Sequence, residues 1–276
     1  MNRDSLYKLA KKNLPGISQL FGKRPELSLP GKNWPIYYSK AKGVNLWDLK
    51  GEKYLDFSMV GVGTSVLGYA DKDIVKVAKK DLSNGNMTTL NPPEDVYLAK
   101  EMIKLHPWAG GVKYTRTGGE SMAVAIRIAR SFTGKEKVLF CGYHGWHDWY
   151  LAANLKSKSK LSYHLLPGIT PKGVPKYLKD TIIPFRFNSI EDLKNIVEKN
   201  AKHCAAIVIE PARETLPQKN FLKKLRSIAN KNNTVLIFDE ITSGWRMAVG
   251  GIHKLLGIRP DLVIYGKTIA NGIPMG

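Results

Sequence analysis

The chain has 276 residues, 43% of them hydrophobic and 24% charged, which allows a sizeable core and excludes a disordered tail or a small stapled module. Its net charge is +20, but the cations are scattered, and the one basic run, Lys156-Ser157-Lys158-Ser159-Lys160, carries no interleaved aromatics to stack on bases; a solvated lysine-rich surface is expected, not a nucleic-acid partner. No stretch approaches the roughly 18 apolar residues of a membrane span, and Met1-Asn2-Arg3-Asp4-Ser5 leads into no apolar signal core, so no membrane contact and a cytoplasmic location are expected.

Residues 1–35 are basic and broken by Pro15, Pro25, Pro30 and Pro35, which reads as a short helix and an irregular arm. From Ile36 to Asp56 apolar and polar residues alternate on either side of Lys50-Gly51, the pattern of an antiparallel β-meander. Arm and meander together make a first segment, residues 1–64, read as part of a small domain.

Over residues 65–276 the rhythm changes, and helical periods alternate with short apolar runs. Ile74, Ala78 and Leu82 share a helical face that Asn84-Gly85 can stop, and Pro92-Pro93-Glu94 opens a helix carrying Leu98, Ala99, Met102 and Leu105. Strand-like runs follow at Val112–Thr115, Val138–Cys141, Ile182–Phe185, Ala205–Ile209, Val235–Phe238 and Leu262–Tyr265. Helix-length stretches separate most of them, such as Ser189–Lys199, where Ser189 and Asp192 are spaced as a capping box. Continuous apolar strands alternating with helices predict an α/β fold, a mainly parallel sheet covered on both faces. Both cysteines, Cys141 and Cys204, fall in such runs, which gives no disulfide framework. Residues 155–180, rich in Lys, Ser, Pro and Gly, read as a long surface loop.

In open α/β sheets ligands bind beyond the carboxyl ends of the strands, and four such ends are unusual. "TRTGGES", residues 115–121, sets Gly118 and Gly119 between a strand and a helix, where backbone amides can approach a phosphate; a plain turn is the alternative. "FCGYHGWHDW", residues 140–149, clusters rings that could stack on a planar ligand. A metal bound by Cys141, His144 and His147 is disfavoured, because no second ligand pair follows at suitable spacing. "IVIEP" ends in Glu210 and "VLIFDE" in Asp239-Glu240, carboxylates that are costly to bury without partners unless they cap helices. Lys267 ends the last run. Its Gly266-Lys267-Thr268 is not a phosphate-binding loop, since Asp261 occupies the position where that motif needs glycine. A lysine, a buried carboxylate, an anion cradle and a stacking ring together suit pyridoxal 5'-phosphate.

The same motifs, in order, resemble those of the class III aminotransferases, fold-type I pyridoxal-phosphate enzymes that include glutamate-1-semialdehyde aminomutase. "AKGVNLWDLKGEKYLDF", "TGGES", "GYHGWHD", "FDEITSGWR" and "YGKTIANGIPMG" carry the likeness, from about Ile36 to Gly276. The resemblance implies a Schiff-base lysine at Lys267 that also moves the substrate proton, and Asp239 paired with the pyridinium nitrogen. It implies phosphate held by the amides of Gly118 and Gly119, Tyr143 stacked on the ring, and His144 and Glu210 in the cofactor site. It further implies amino transfer between an amine or amino-acid donor and a carbonyl acceptor in a homodimer with shared active sites. An intramolecular aminomutase is the alternative reading, and a non-catalytic fragment or basic binding protein a third.

Gly119 stands where the family has a hydroxyl residue, and the aminomutase's Glu-Pro-Val-Ala-Gly-Asn run is here Glu210-Pro211-Ala212-Arg213-Glu214-Thr215. The first departure removes one side-chain contact from the phosphate cradle; the second lies on the substrate side and points to a relative that uses another amine donor or a sugar-like or small carbonyl acceptor. Family members continue beyond the lysine into a C-terminal small domain, so the chain is expected to be a fragment lacking it.

Overall fold

The computed structural model describes residues 1–27, 34–157, 160, 161, 164, 170–218 and 220–276. The chain divides into two compact units, Met1–Met87 and Thr88–Gly276.

The first unit begins with the helix Arg3–Asn13, whose N-cap Asn2 accepts the Ser5 amide. The meander follows as β1 (Tyr38–Lys42), β2 (Asn45–Asp48) and β3 (Lys53–Leu55), antiparallel in that order. Its second turn closes where predicted. The Asp48 carboxylate accepts the amides of Lys50 at 2.8 Å and Glu52 at 3.0 Å, and Gly51 supplies φ of 87°. The helix Lys72–Asn84 is capped by Asp71 and stopped at Gly85, also at φ of 87°.

The second unit is built on a five-stranded parallel sheet. Its strands are β4 (Lys137–Cys141), β5 (Ile182–Pro184), β6 (Cys204–Ile209), β7 (Val235–Asp239) and β8 (Leu262–Ile264), in the order β5-β4-β6-β7-β8. Because side chains alternate along a strand, two cores form. Val138, Phe140, Ala206, Val208 and Ile237 pack with Met122, Ala125, Ile126 and Ala129 of the helix Gly118–Thr133. Leu139, Ile207, Ile209, Leu236 and Phe238 face the other way, onto the helices Ile190–Asn200 and Phe221–Lys231. Both faces are therefore covered, which is why these strands read as unbroken apolar runs.

Three expectations change. Val112–Thr115 is not a strand; Thr115 exchanges backbone hydrogen bonds of 2.8 and 3.0 Å with Gly276, and an apolar run without an adjacent ladder cannot extend that contact. Within 155–180, Leu161, His164 and Val174 are buried, so this stretch feeds the core as well as the surface; residues 158–159, 162–163 and 165–169 lie outside the described residues. The Ser189 capping box is half made, since Ser189 accepts the Asp192 amide while the Asp192 carboxylate accepts the Arg186 amide instead. Among the described residues no helix is long and apolar enough to cross a membrane.

Candidate active site

After β4 the chain crosses to β5 on one side, and after β6 it crosses to β7 on the other. This reversal opens a crevice at the carboxyl ends of β4 and β6. Tyr143 and His144 follow β4, Glu210 follows β6, Asp239 ends β7 and Lys267 follows β8, so the parallel register brings them to one edge.

Asp239 is 2% exposed and would be costly there without partners. Its Oδ2 lies 2.7 Å from His144 Nδ1, and its Oδ1 accepts the Ile241 amide at 3.1 Å. The buried His144 ring stacks on Trp149 at 6.2 Å, and its Nε2 has no partner among the described residues.

Gly142, at φ of +121°, turns the chain out of β4, and a Cβ there would lie 2.7 Å from Glu210 Oε2. Only glycine permits that approach. Its amide donates to His164 Nδ1 at 3.0 Å, while the next amide, of Tyr143, donates to Glu210 Oε2 at 2.8 Å. The same oxygen lies 3.1 Å from Arg213 Nε. Burial pushes the Glu210 carboxyl above its ordinary value and the charge of Asp239 adds to this, while His144, the Tyr143 amide and Arg213 pull the other way. Burial also pushes the Tyr143 phenol up to about 12.

Lys267 sits at φ of +46°, a left-handed backbone rarely tolerated by a residue with a side chain. Its Nζ donates to Thr242 Oγ1 at 2.7 Å. Burial lowers its pKa, against the pull of Asp239 and Glu210, so a larger fraction of the amine is neutral than in water.

Opposite these groups the helix Gly118–Thr133 begins. Thr117 accepts the Glu120 amide and Glu120 accepts that of Thr117, a full capping box. The amides of Gly118 and Gly119 then remain without partners among the described residues, at the positive end of a helix. A Cβ on Gly118 would lie 2.6 Å from Ile241 Cδ1.

The seven predicted residues thus occupy one edge of the sheet, and three neighbours join them unannounced. They are Ile241 and Thr242, which the sequence showed only inside the FDEITSGWR motif, and Arg213, visible only as a departure from a family run. Glu240, beside Asp239, goes elsewhere and accepts the amides of Ile252 and His253; the N-cap residue of that helix, Ile252–Leu256, is Gly251, so Glu240 does not cap a helix that directly follows its strand. Cavities of about 990 and 430 Å³ lie away from the cluster. No three His, Cys, Asp or Glu side chains are placed to hold a metal ion among the described residues, and burial pushes the Cys141 thiol up to about 12.

The family model described as "Aminotransferase class-III" matches residues 28–276. The chain belongs to the class-III aminotransferases. This family member is 33% identical to a 3-aminobutyryl-CoA aminotransferase of Cloacimonas acidaminovorans, over 97% of this chain and 62% of that protein. It is also 33% identical to a glutamate-1-semialdehyde 2,1-aminomutase of Francisella philomiragia, over 100% of this chain and 63% of that protein. The chain thus spans under two thirds of the length of these curated relatives. Among solved structures, an omega-transaminase from Sphaerobacter thermophilus superposes with a TM-score of 0.84 at 28% identity, covering 99% of this chain and 62% of that one. A transaminase with PLP bound superposes at 0.86 and 25%, with the same coverage. The fold of this class-III aminotransferase is that of the fold-type I transaminases.

Proposed function

We propose that the protein is a pyridoxal-phosphate-dependent aminotransferase that moves an amino group from an amine or amino-acid donor to a carbonyl acceptor. The observation that carries this reading is the convergence, on one sheet edge, of Lys267, the buried Asp239 and two unpartnered glycine amides at a helix N-terminus. These residues fit the cofactor. The Gly118 and Gly119 amides, beside a position a Cβ would fill, suit its phosphate. Asp239, its charge supported by His144 and the Ile241 amide, suits the ring nitrogen, because a buried anion raises the pKa of a facing base. The Tyr143 ring suits one face of the cofactor, and Glu210, joined to the Tyr143 amide, holds that turn in place.

When bound, the cofactor supplies an electron sink for negative charge developing at the substrate Cα. Lys267 would anchor the cofactor through its ε-amine, whose neutral fraction burial increases, and afterwards hold the proton taken from Cα. The family likeness further supports a homodimer with shared active sites. The buried free Cys141 and Cys204 suit a cytoplasmic protein.

The absorption spectrum of protein mixed with pyridoxal phosphate tests the reading. A visible band present in wild type, absent in Lys267→Ala and bleached by an amine donor is expected; no band in wild type would refute it. The Francisella likeness favours one second reading, intramolecular amino transfer. With a 2-oxo acid as sole acceptor, an aminotransferase turns over continuously and an aminomutase does not.

A further inference from the structure

Lys267 stands in a crevice with two buried carboxylates, Asp239 and Glu210, yet pairs with neither. Among the described residues its Nζ has one hydrogen-bonding partner, the neutral hydroxyl of Thr242 at 2.7 Å, and it makes no ion pair. Thr242 is exposed, and its hydroxyl has no second partner among the described residues, so the hydroxyl proton is free to turn. An ammonium beside carboxylates is expected to join one of them, because a charge-assisted hydrogen bond is about twice as strong as a neutral one. The turn that carries Thr242 holds a different arrangement.

That turn, residues 240–244, is fixed at each end. The Ile241 amide donates to Asp239 Oδ1 at 3.1 Å, and the Gly244 amide donates to the Glu240 carbonyl at 2.7 Å. A Cβ on Gly244 would lie 2.6 Å from that carbonyl oxygen and 2.8 Å from Tyr265 Cδ1, so glycine is what lets the turn close against the segment leaving β8. Thr268, directly after Lys267, donates from Oγ1 to the Gly244 carbonyl at 2.9 Å, and Arg246 Nε donates to the Thr242 carbonyl. The turn is thus tied to β7 on one side of Thr242 and to the lysine segment on the other. Arg246 also opposes a positive charge on Nζ, as burial does.

A carboxylate partner would lock the amine in its charged form. A hydroxyl accepts from an ammonium and donates to a neutral amine, so it keeps hold of Nζ whichever form is present. We propose that Thr242 is the positioning residue of Lys267, its hydroxyl holding Nζ in place through both protonation states by reversing the direction of one hydrogen bond. When the amine is charged, Nζ donates to Oγ1; when a proton has left Nζ for solvent, the Thr242 hydroxyl turns and donates to the nitrogen lone pair. The inference rests on the aminotransferase reading for the use made of the amine, and not for the contact itself.

Competitive acylation of the chain's lysines with acetic anhydride, without cofactor, from about pH 6 to 11 and resolved by peptide mass spectrometry, gives the acid dissociation constant of Lys267. Thr242→Val keeps the shape of the side chain and removes the hydroxyl. Because the bond made by the ammonium is the stronger of the two, the constant is expected to rise about threefold or more in this variant. Thr242→Ser should stay within about twofold of wild type, and Thr242→Asp, which supplies the carboxylate that wild type lacks at this point, should lower the constant about tenfold or more. A role in packing alone would leave the Val variant like wild type, and that result, or a fall in its constant, overturns the proposal. The labelling of Lys135, whose Nζ donates to the Asn232 carbonyl at 2.8 Å beyond the other end of β4, should match in all four proteins and reports that each is folded. Should the Val variant disturb it, Thr242→Asp decides alone, since an unmoved constant there means that the two side chains do not meet. The visible band abolished by Lys267→Ala is read separately. If that band is missing the aminotransferase reading fails, while the titration of the cofactor-free chain still decides the role of Thr242.

Discussion

His164 should make the turn that carries Tyr143 sensitive to acid. It is 4% exposed and accepts the Gly142 amide at Nδ1, at 3.0 Å. Burial, with the charges of His144 and Arg213, lowers its pKa from 6.5 to about 4. The folded state therefore binds fewer protons than the unfolded state between these values. Stability linked to this residue is fully present above pH 6.5 and is lost as pH falls toward 4. At 1.36 kcal/mol per unit the whole displacement amounts to about 3 kcal/mol, and about 2 kcal/mol of it is gone by pH 5. His164→Gln retains an acceptor for the Gly142 amide but cannot titrate. Urea unfolding of both proteins between pH 7.5 and 4.5 isolates the effect, since the other titrating groups are common to both. Wild type should lose about 2 kcal/mol more than the variant by pH 5. Parallel pH profiles would show that His164 is not held neutral by its surroundings, and the reasoning would be wrong.

The two cradle glycines should respond differently to a methyl group. A Cβ on Gly118 meets Ile241 Cδ1 at 2.6 Å and Cγ1 at 3.0 Å, whereas on Gly119 its nearest neighbour is His147 Nε2 at 3.4 Å. Gly118→Ala should lower thermal stability by about 1–3 kcal/mol through overpacking, with Gly119→Ala close to wild type; the opposite order in thermal denaturation would contradict the packing at the helix N-terminus. Lys267→Met should stabilise the chain at neutral pH. Burial lowers the lysine's folded pKa, so its charge is a cost that disappears as pH rises past the unfolded value near ~10.4. Denaturant midpoints from pH 7 to 10.5 should therefore converge, and a variant less stable than wild type at pH 7 would sink this account.

Much of this was legible in the sequence because burial leaves a direct imprint on composition. Strands covered on both faces must be apolar throughout, so the ends of β4, β6, β7 and β8 were marked by the first polar residues after each run, and Glu210, Asp239 and Lys267 stood out. What joins them was not legible. The pairing of His144 with Asp239 spans 95 residues and arises only from the order of strands in the sheet. The Val112–Thr115 run has the composition of a strand, but pairing depends on a neighbour that composition cannot report. Leu161, His164 and Val174 were hidden because the polar residues around them set the apparent character of the stretch.

The pair Asp239-Glu240 shows how strand alternation divides labour at the site. Successive side chains leave a strand on opposite sides, so a carboxylate that enters the crevice is followed by one that cannot. Glu240 instead accepts the Ile252 amide at 2.6 Å, the His253 amide at 2.9 Å and approaches His253 Nδ1 at 2.7 Å. His253 stacks on His106 at 5.4 Å, and His106 Nε2 lies 2.9 Å from the Tyr265 hydroxyl. Tyr265 directly precedes Gly266-Lys267, so this buried chain of contacts runs from the residue after Asp239 to the segment that presents Lys267. It closes tightly, since a Cβ on Gly251, at φ of +104°, would stand 2.5 Å from Glu240 Oε2. A carboxylate and an amine that act on one ligand must keep a fixed spacing, and parallel pairing of β7 with β8 sets only their backbones. The Glu240 network braces the loops beyond those strands, which is where the side chains that matter leave the sheet.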